Sequence, residues 1–99
     1  ILDPYKLVAS REDREYGIFK YRDFNRLALS LVAEGGLFVT CSCSGMVSME
    51  EFSFLVRASA ANAGRRAHIF RKSGAGADHP VASDYPEGEY LKAIWARVY

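Results

Sequence analysis

The sequence predicts a single α/β domain whose sheet is mostly parallel and ends in an antiparallel last strand. Strand-like apolar segments alternate with two stretches of helical periodicity, an order typical of parallel strands joined by right-handed crossovers. The last link, residues 73–88, has no helical pattern, so the strand after it is expected to run antiparallel. The chain has 99 residues, 49% hydrophobic and 25% charged, which suits one globular domain with a real core.

The chain opens on apolar residues with no Met before them, and Pro4 stops this segment. We therefore expect residues 1–3 to be the end of a buried strand and the chain to be a piece of a longer protein. A helix is predicted over 11–33, capped by Ser10 and ended by Gly35 in the left-handed conformation. Its inward face is predicted from spacings of three and four: Tyr21, Phe24, Leu27, Ala28, Leu31 and Val32.

The next elements are predicted from residue type. Residues 37–43 form a continuous β-rich run, as in a strand covered on both faces. Ser48 and Glu51 have the spacing of a capping box and start a helix over 49–63. Its inward stripe is predicted to be Phe52, Leu55, Val56, Ser59 and Ala63. The basic third strand, 65–72, suits a sheet edge, where charges discourage pairing with other chains, and the last strand is expected over 89–98.

Composition excludes several classes of protein. A formal net charge of +1 gives no electrostatic reason to expect nucleic-acid binding. Cys41 and Cys43 lie two residues apart on one strand, a poor geometry for a disulfide, and free thiols fit a reducing compartment such as the cytoplasm. No apolar run approaches the roughly 18 residues that a membrane-spanning helix needs.

Two chemically useful residues end the first two predicted strands. Asp3 ends the first and Cys43 the second, and parallel strands bring such ends to one edge of the sheet, where ligands bind. If the strands are neighbours, the two Cα atoms lie about 5 to 10 Å apart. A thiol beside a carboxylate, just before the N-terminus of the helix at Ser48, suits covalent catalysis. As a nucleophile Cys43 should be at least partly accessible, because it must reach its substrate; a small buried apolar residue is the structural alternative.

Five segments occur in an order that identifies a family. They are Asp3-Pro4-Tyr5-Lys6-Leu7, Thr40-Cys41-Ser42-Cys43-Ser44-Gly45, Ala63-Gly64-Arg65, Asp78-His79-Pro80-Val81 and Pro86-Glu87-Gly88-Glu89-Tyr90-Leu91-Lys92. Together they resemble the C-terminal half of bacterial S-adenosylmethionine-dependent methyltransferases that make 5-methylcytosine in large-subunit ribosomal RNA. The resemblance covers nearly the whole chain. It implies the fourth to seventh strands of a Rossmann-like methyltransferase sheet, with the last strand inserted antiparallel between the two before it.

The resemblance also implies roles for individual residues. Cys43 would be the nucleophile that attacks carbon 6 of a flipped-out cytosine, and Asp3 would hold the polar edge of that base. Asp3 and Pro4 would line the pocket of S-adenosylmethionine, while Tyr5, Lys6 and Ser42 would contact the substrate. Tyr5 stands where the family usually has a second proline.

The partner implied is ribosomal RNA, in the cytoplasm and without a membrane. The glycine-rich loop that holds the cofactor in such folds would lie upstream, so we expect these 99 residues to bind S-adenosylmethionine poorly and to be inactive alone.

Several alternatives remain beside this hypothesis. Cys41 is expected to pack in the core, and a zinc site from Cys41, Cys43, His68 and His79 is disfavoured because the spacing matches no standard cluster. His79 is expected to anchor a loop rather than to contact substrate. A related base methyltransferase without a cysteine nucleophile is one alternative function. The other is a non-catalytic module that associates, as a homo-oligomer, through an exposed sheet edge.

Overall fold

Two helices pack on one face of a three-stranded sheet in the computed structural model, which describes residues 1–4, 11–74 and 91–99. The elements follow in the order α1 (Arg14–Leu31), β1 (Gly36–Ser42), α2 (Met49–Asn62), β2 (Ala67–Ser73) and β3 (Lys92–Val98). Residues 5–10 and 75–90 lie outside the described residues, and with them the predictions for Tyr5, Lys6, Ser10 and His79, most of the link 73–88 and the start of the last strand.

The sheet has the order β1-β3-β2, and β3 is antiparallel to both of its neighbours. The predicted insertion of the last strand between the two before it is therefore confirmed, and β2 lies at an edge of the described sheet as its basic composition predicts. The prediction of a mostly parallel sheet is wrong for the described strands. β1 and β2 run in the same direction, but β3 lies between them, so they do not pair with each other. The described parallel contact is a single bridge between Leu2 and Thr40.

Helix α1 is shorter than predicted, and its buried face is rotated. It begins after Asp13, whose side chain makes no capping hydrogen bond, and it buries Gly17, Tyr21, Asn25 and Leu29. Two leucines of the predicted inward face, Leu27 and Leu31, are 53% and 79% exposed. The buried face includes Asn25, a polar residue that has hydrogen-bond partners in the interior. The chain then turns at Gly35, which has the predicted left-handed φ of 76°.

Helix α2 begins as the sequence predicts. The Glu51 backbone N–H donates to Ser48 Oγ at 3.1 Å, and the Ser48 N–H donates to Glu51 Oε1 at 3.3 Å. This reciprocal pair satisfies two N–H groups that a helix N-terminus otherwise leaves unpaired. The buried stripe is confirmed at four of its five positions, with Ala60 rather than Ala63 as its last buried alanine.

Ser48→Ala should lower the free energy of unfolding by about 0.5–2 kcal/mol, because the Glu51 N–H loses its acceptor. Ser30→Ala, on the exposed side of α1, is the matched control and should change it by less than about 0.5 kcal/mol. Chemical denaturation of the three proteins measures the difference. Equal midpoints for the Ser48 variant and the unsubstituted protein would contradict the role of the cap.

The apolar core has two parts that share the helices and the central strand. The first joins Tyr21 of α1, Ile94 of β3 and, around the start and middle of α2, Val47, Phe52, Leu55 and Val56. The second joins Leu29, Phe38, Ala60 and Val98 nearer the other end of the sheet. Next to the first part, at the end of β1, lies a cluster of buried hydroxyl groups from Tyr21, Ser42 and Ser44.

Candidate functional site

The N-terminal segment lies beside β1 and runs parallel to it. The Leu2 N–H donates to the Val39 carbonyl at 2.7 Å, and the Cys41 N–H donates to the Leu2 carbonyl at 2.8 Å. Both segments therefore advance toward the same edge of the sheet, as the sequence predicts, with Asp3 exposed and Pro4 partly exposed there. Asp3 is close enough to Cys41 for its charge to act on that thiol.

Cys43 follows the last residue of β1 and is partly exposed. The predicted accessibility of this thiol is thus confirmed. Its two neighbours, Ser42 and Ser44, are fully buried. The residues on both sides of Cys43 are thus anchored in the interior, while Cys43 itself stays partly accessible to solvent.

Three hydrogen bonds hold the Cys43 loop, residues 42–44, in place against α1. Ser42 Oγ donates to the Tyr21 hydroxyl at 3.0 Å, the Tyr21 and Ser44 hydroxyls share a hydrogen bond of 2.7 Å, and the Ser44 N–H donates to Ser42 Oγ at 3.3 Å. Polar groups that are buried and paired in this way resist movement, because breaking one contact leaves an unsatisfied group. The Ser42 hydroxyl is used in hydrogen bonds within the protein. Its contact with substrate stays a prediction.

Lys92 is a residue of this region to which sequence reasoning gave no role. Its side chain is 5% exposed, and its Nζ donates to the Ser44 carbonyl at 2.9 Å. Burial lowers the pKa of Lys92, whereas a negative charge at Cys43 raises it. A sequence signal was present, since Lys92 occupies the same alternating position as Ile94, Ala96 and Val98, the inward residues of β3.

Cys41 does not match its predicted role. It is partly exposed like Cys43, so the prediction that it packs in the core is wrong. Burial of the thiol raises the pKa of Cys41, and the charge of Asp3 raises it further. Cys41 is therefore less easily ionised than an ordinary thiol.

The raised pKa of Cys41 makes its reactivity depend on pH in a defined direction. In a Cys43→Ser background, alkylation of Cys41 by iodoacetamide should show a midpoint above that of free cysteine, because the thiolate is the reacting form. Asp3→Asn should lower that midpoint, since it removes a negative charge that disfavours the thiolate. Mass spectrometry across a pH series measures both. A midpoint unmoved by Asp3→Asn would contradict the proximity of the two side chains.

Two further findings concern classes of site. No three His, Cys, Asp or Glu side chains converge in a metal-binding group within residues 1–4, 11–74 and 91–99. His68, a candidate ligand from the sequence, instead packs against Tyr99 with ring centroids 5.0 Å apart. Neither described helix is long and apolar enough to cross a membrane.

Comparisons with known proteins find relatives by sequence and by fold. No protein-family model matches the chain. It is 40% identical over 98 residues to "Ribosomal RNA large subunit methyltransferase I" of Pseudoalteromonas atlantica. It is 38% identical over 98 residues to proteins of the same name from Escherichia coli O1:K1 and Shigella boydii serotype 18. Each match covers 99% of the chain and 25% of the relative.

A solved structure shows the fold. SMU.776, assigned as a methyltransferase and crystallised with SAH, matches with a TM-score of 0.73 and 16% identity, over 97% of the chain and 24% of its own length. By sequence the chain is thus similar to one part of large-subunit ribosomal RNA methyltransferases, and its fold matches one part of the SMU.776 structure. It spans about a quarter of the length of the curated relatives it matches.

Proposed function

We propose that this chain is the nucleophile-bearing part of an S-adenosylmethionine-dependent methyltransferase that methylates carbon 5 of a cytosine in large-subunit ribosomal RNA. The observation that carries the proposal is the placement of Cys43. Its thiol is partly exposed on a loop with buried flanks, at the sheet edge toward which Asp3 also runs. Homology to ribosomal RNA large subunit methyltransferases I supports the reaction class.

In the proposed reaction, the Cys43 thiol reacts with the base before the methyl group is transferred. Carbon 5 of cytosine is a poor nucleophile until the ring is activated. Addition of the Cys43 thiolate to carbon 6 breaks the 5,6 double bond and makes carbon 5 electron-rich. Carbon 5 would accept the methyl group as the methyl–sulfur bond of the donor breaks and leaves a neutral thioether; loss of the carbon 5 proton to a base and departure of the Cys43 sulfur would then restore the double bond. The enzyme then returns to its starting thiolate.

Asp3 is proposed to orient the base. Its carboxyl group, exposed beside β1, would hydrogen-bond the polar edge of a cytosine lifted out of its stack. Such contacts align carbon 6 with the thiol, and alignment of reacting groups is a major part of catalysis.

The same edge suits the methyl donor. Ligands of open α/β sheets bind outside the carboxyl ends of the strands, where Asp3 and Pro4 lie exposed and partly exposed. These two residues would line one side of the pocket for S-adenosylmethionine. When bound, that molecule supplies an electrophilic methyl group on a sulfonium centre. The SMU.776 structure, which shares the fold, was solved with SAH.

Methylation of ribosomal RNA by the native protein that contains these 99 residues tests the proposal. Unmodified large-subunit RNA is incubated with labelled S-adenosylmethionine, and the nucleosides are identified by mass spectrometry. We expect 5-methylcytidine. Methylation of the exocyclic amine of cytosine would support the alternative without a cysteine nucleophile. RNA that stays unmethylated would contradict the proposed function.

A further inference from the structure

Lys92 is a buried cation directly beneath the loop that carries Cys43. Lysine is rarely this buried without partners, because removing an ammonium group from water is costly. Here that cost is reflected in the lowered pKa of Lys92. The hydrogen bond to the Ser44 carbonyl offsets part of it. A buried ammonium group that hydrogen-bonds the backbone next to Cys43 is therefore a candidate for a functional role.

The sheet register explains how Lys92 reaches this loop. Ser42, the last residue of β1, pairs with Lys92, the first residue of β3. Residues paired across an antiparallel ladder point to the same face, so the lysine side chain leaves the sheet beside Ser42. Its Nζ then contacts the carbonyl of Ser44, two residues farther along. The lysine thus spans the backbone on both sides of Cys43.

Electrostatics couple the same two side chains. A negative charge at Cys43 favours the protonated form of Lys92. The ammonium group of Lys92 and a negative charge at Cys43 therefore attract each other. The titratable groups described on the neighbouring segments are Asp3 and the Ile1 amino group, whose charges act on Cys41, together with Cys41 of β1, Tyr21 of α1 and Lys92 of β3.

We propose that Lys92 is a positioning residue for Cys43: its ammonium group fixes the loop through the Ser44 carbonyl and stabilises the thiolate. The proposal rests on the proposed function for the role of Cys43 as nucleophile. Its physical content is independent of methyl transfer, because it concerns the ionisation of one thiol. No proton is transferred between the two groups in this role.

The test measures the alkylation of Cys43 as a function of pH in the native protein carrying Cys41→Ser. Lys92→Met retains the aliphatic length but removes the charge. We expect the midpoint of the rate profile to rise by about 0.5 to 1 pH unit, so that the rate below the midpoint falls about 3- to 10-fold. Lys92→Arg, which keeps the cation, should restore most of the rate. Lys72→Met, at an exposed position of β2, is the matched control and should leave the profile unchanged.

A second measurement leaves the lysine in place, in case Lys92→Met fails to fold. The titration of Lys92 is followed by NMR of ¹³C-labelled lysine, with and without Cys43→Ser. Loss of the thiolate should lower the midpoint of Lys92 by about 0.5 to 1 pH unit, the reciprocal of the effect on the thiol.

An unchanged Cys43 midpoint in folded Lys92→Met, or an unchanged Lys92 midpoint in Cys43→Ser, would overturn the proposal. The shifts would remain if the protein failed to methylate RNA, so failure of the proposed function is distinguishable from failure of this inference.

Discussion

Cys43→Ser should abolish methyl transfer to ribosomal RNA, lowering the initial rate by about 10³-fold or more. The serine hydroxyl is not ionised near neutral pH, so it cannot add to carbon 6 as the thiolate does. The rate is measured as labelled methyl groups incorporated per enzyme. Cys41→Ser, two residues earlier on β1 and also partly exposed, is the matched control and should retain activity within a few-fold. A Cys43→Ser enzyme with more than a tenth of the original rate would contradict the nucleophilic role.

Phe52→Ala should cause the largest loss of stability, about 3–5 kcal/mol in the free energy of unfolding. The Phe52 ring is 0% exposed and meets Tyr21 edge-on, with ring centroids 6.0 Å apart. Its removal leaves a cavity beneath α2 and one aromatic contact fewer. Because Tyr21 also holds the Cys43 loop, the loss would reach the candidate site.

Phe54→Ala is the matched control for this substitution. Phe54 lies on the same helix but is 74% exposed, so its truncation should cost less than about 1 kcal/mol. Urea denaturation of the two variants measures the difference. Equal losses would contradict the assignment of Phe52 to the core and of Phe54 to the surface.

The parts of the fold that were predictable from sequence depend on local chemistry. The capping box at Ser48 and Glu51 involves residues three apart, and the structure has both of its hydrogen bonds. The amino-acid sequence of the link 73–88 has no helical periodicity, which predicted an antiparallel last strand, and β3 is antiparallel. The prediction of a mostly parallel sheet was wrong for the described strands, because the alternation of strands and helices does not say which strand is inserted between two others; the family resemblance supplied that insertion.

The rotated face of α1 shows where hydropathy is insufficient. Asn25 reads as a surface residue, yet it is fully buried because Thr40 Oγ1 donates to its Oδ1 at 2.6 Å. Its own amide donates to the Tyr21 carbonyl at 2.7 Å. The partner that justifies this burial is 15 residues away on another element. Such a partner is visible only once the chain has folded.

The candidate site was predictable to a similar extent. The sequence led to the placement of Asp3 beside β1 and to an accessible Cys43, which the structure shows. Lys92 received no role, because a lysine in a strand normally lies at the surface. Only the pairing of Lys92 with Ser42 reveals that it enters the interior beneath the thiol.

Trapping the covalent intermediate tests the central claim most directly. RNA in which the target cytosine carries fluorine at carbon 5 lacks the proton whose loss releases the enzyme. After methyl transfer, the adduct with the thiol should therefore persist. We predict that mass spectrometry of the digested complex finds the fluorinated, methylated nucleotide bound to the peptide that contains Cys43, at the sulfur of that residue. An adduct on Cys41, or methylation of unsubstituted RNA by an enzyme that forms no adduct with the fluorinated substrate, would contradict the account.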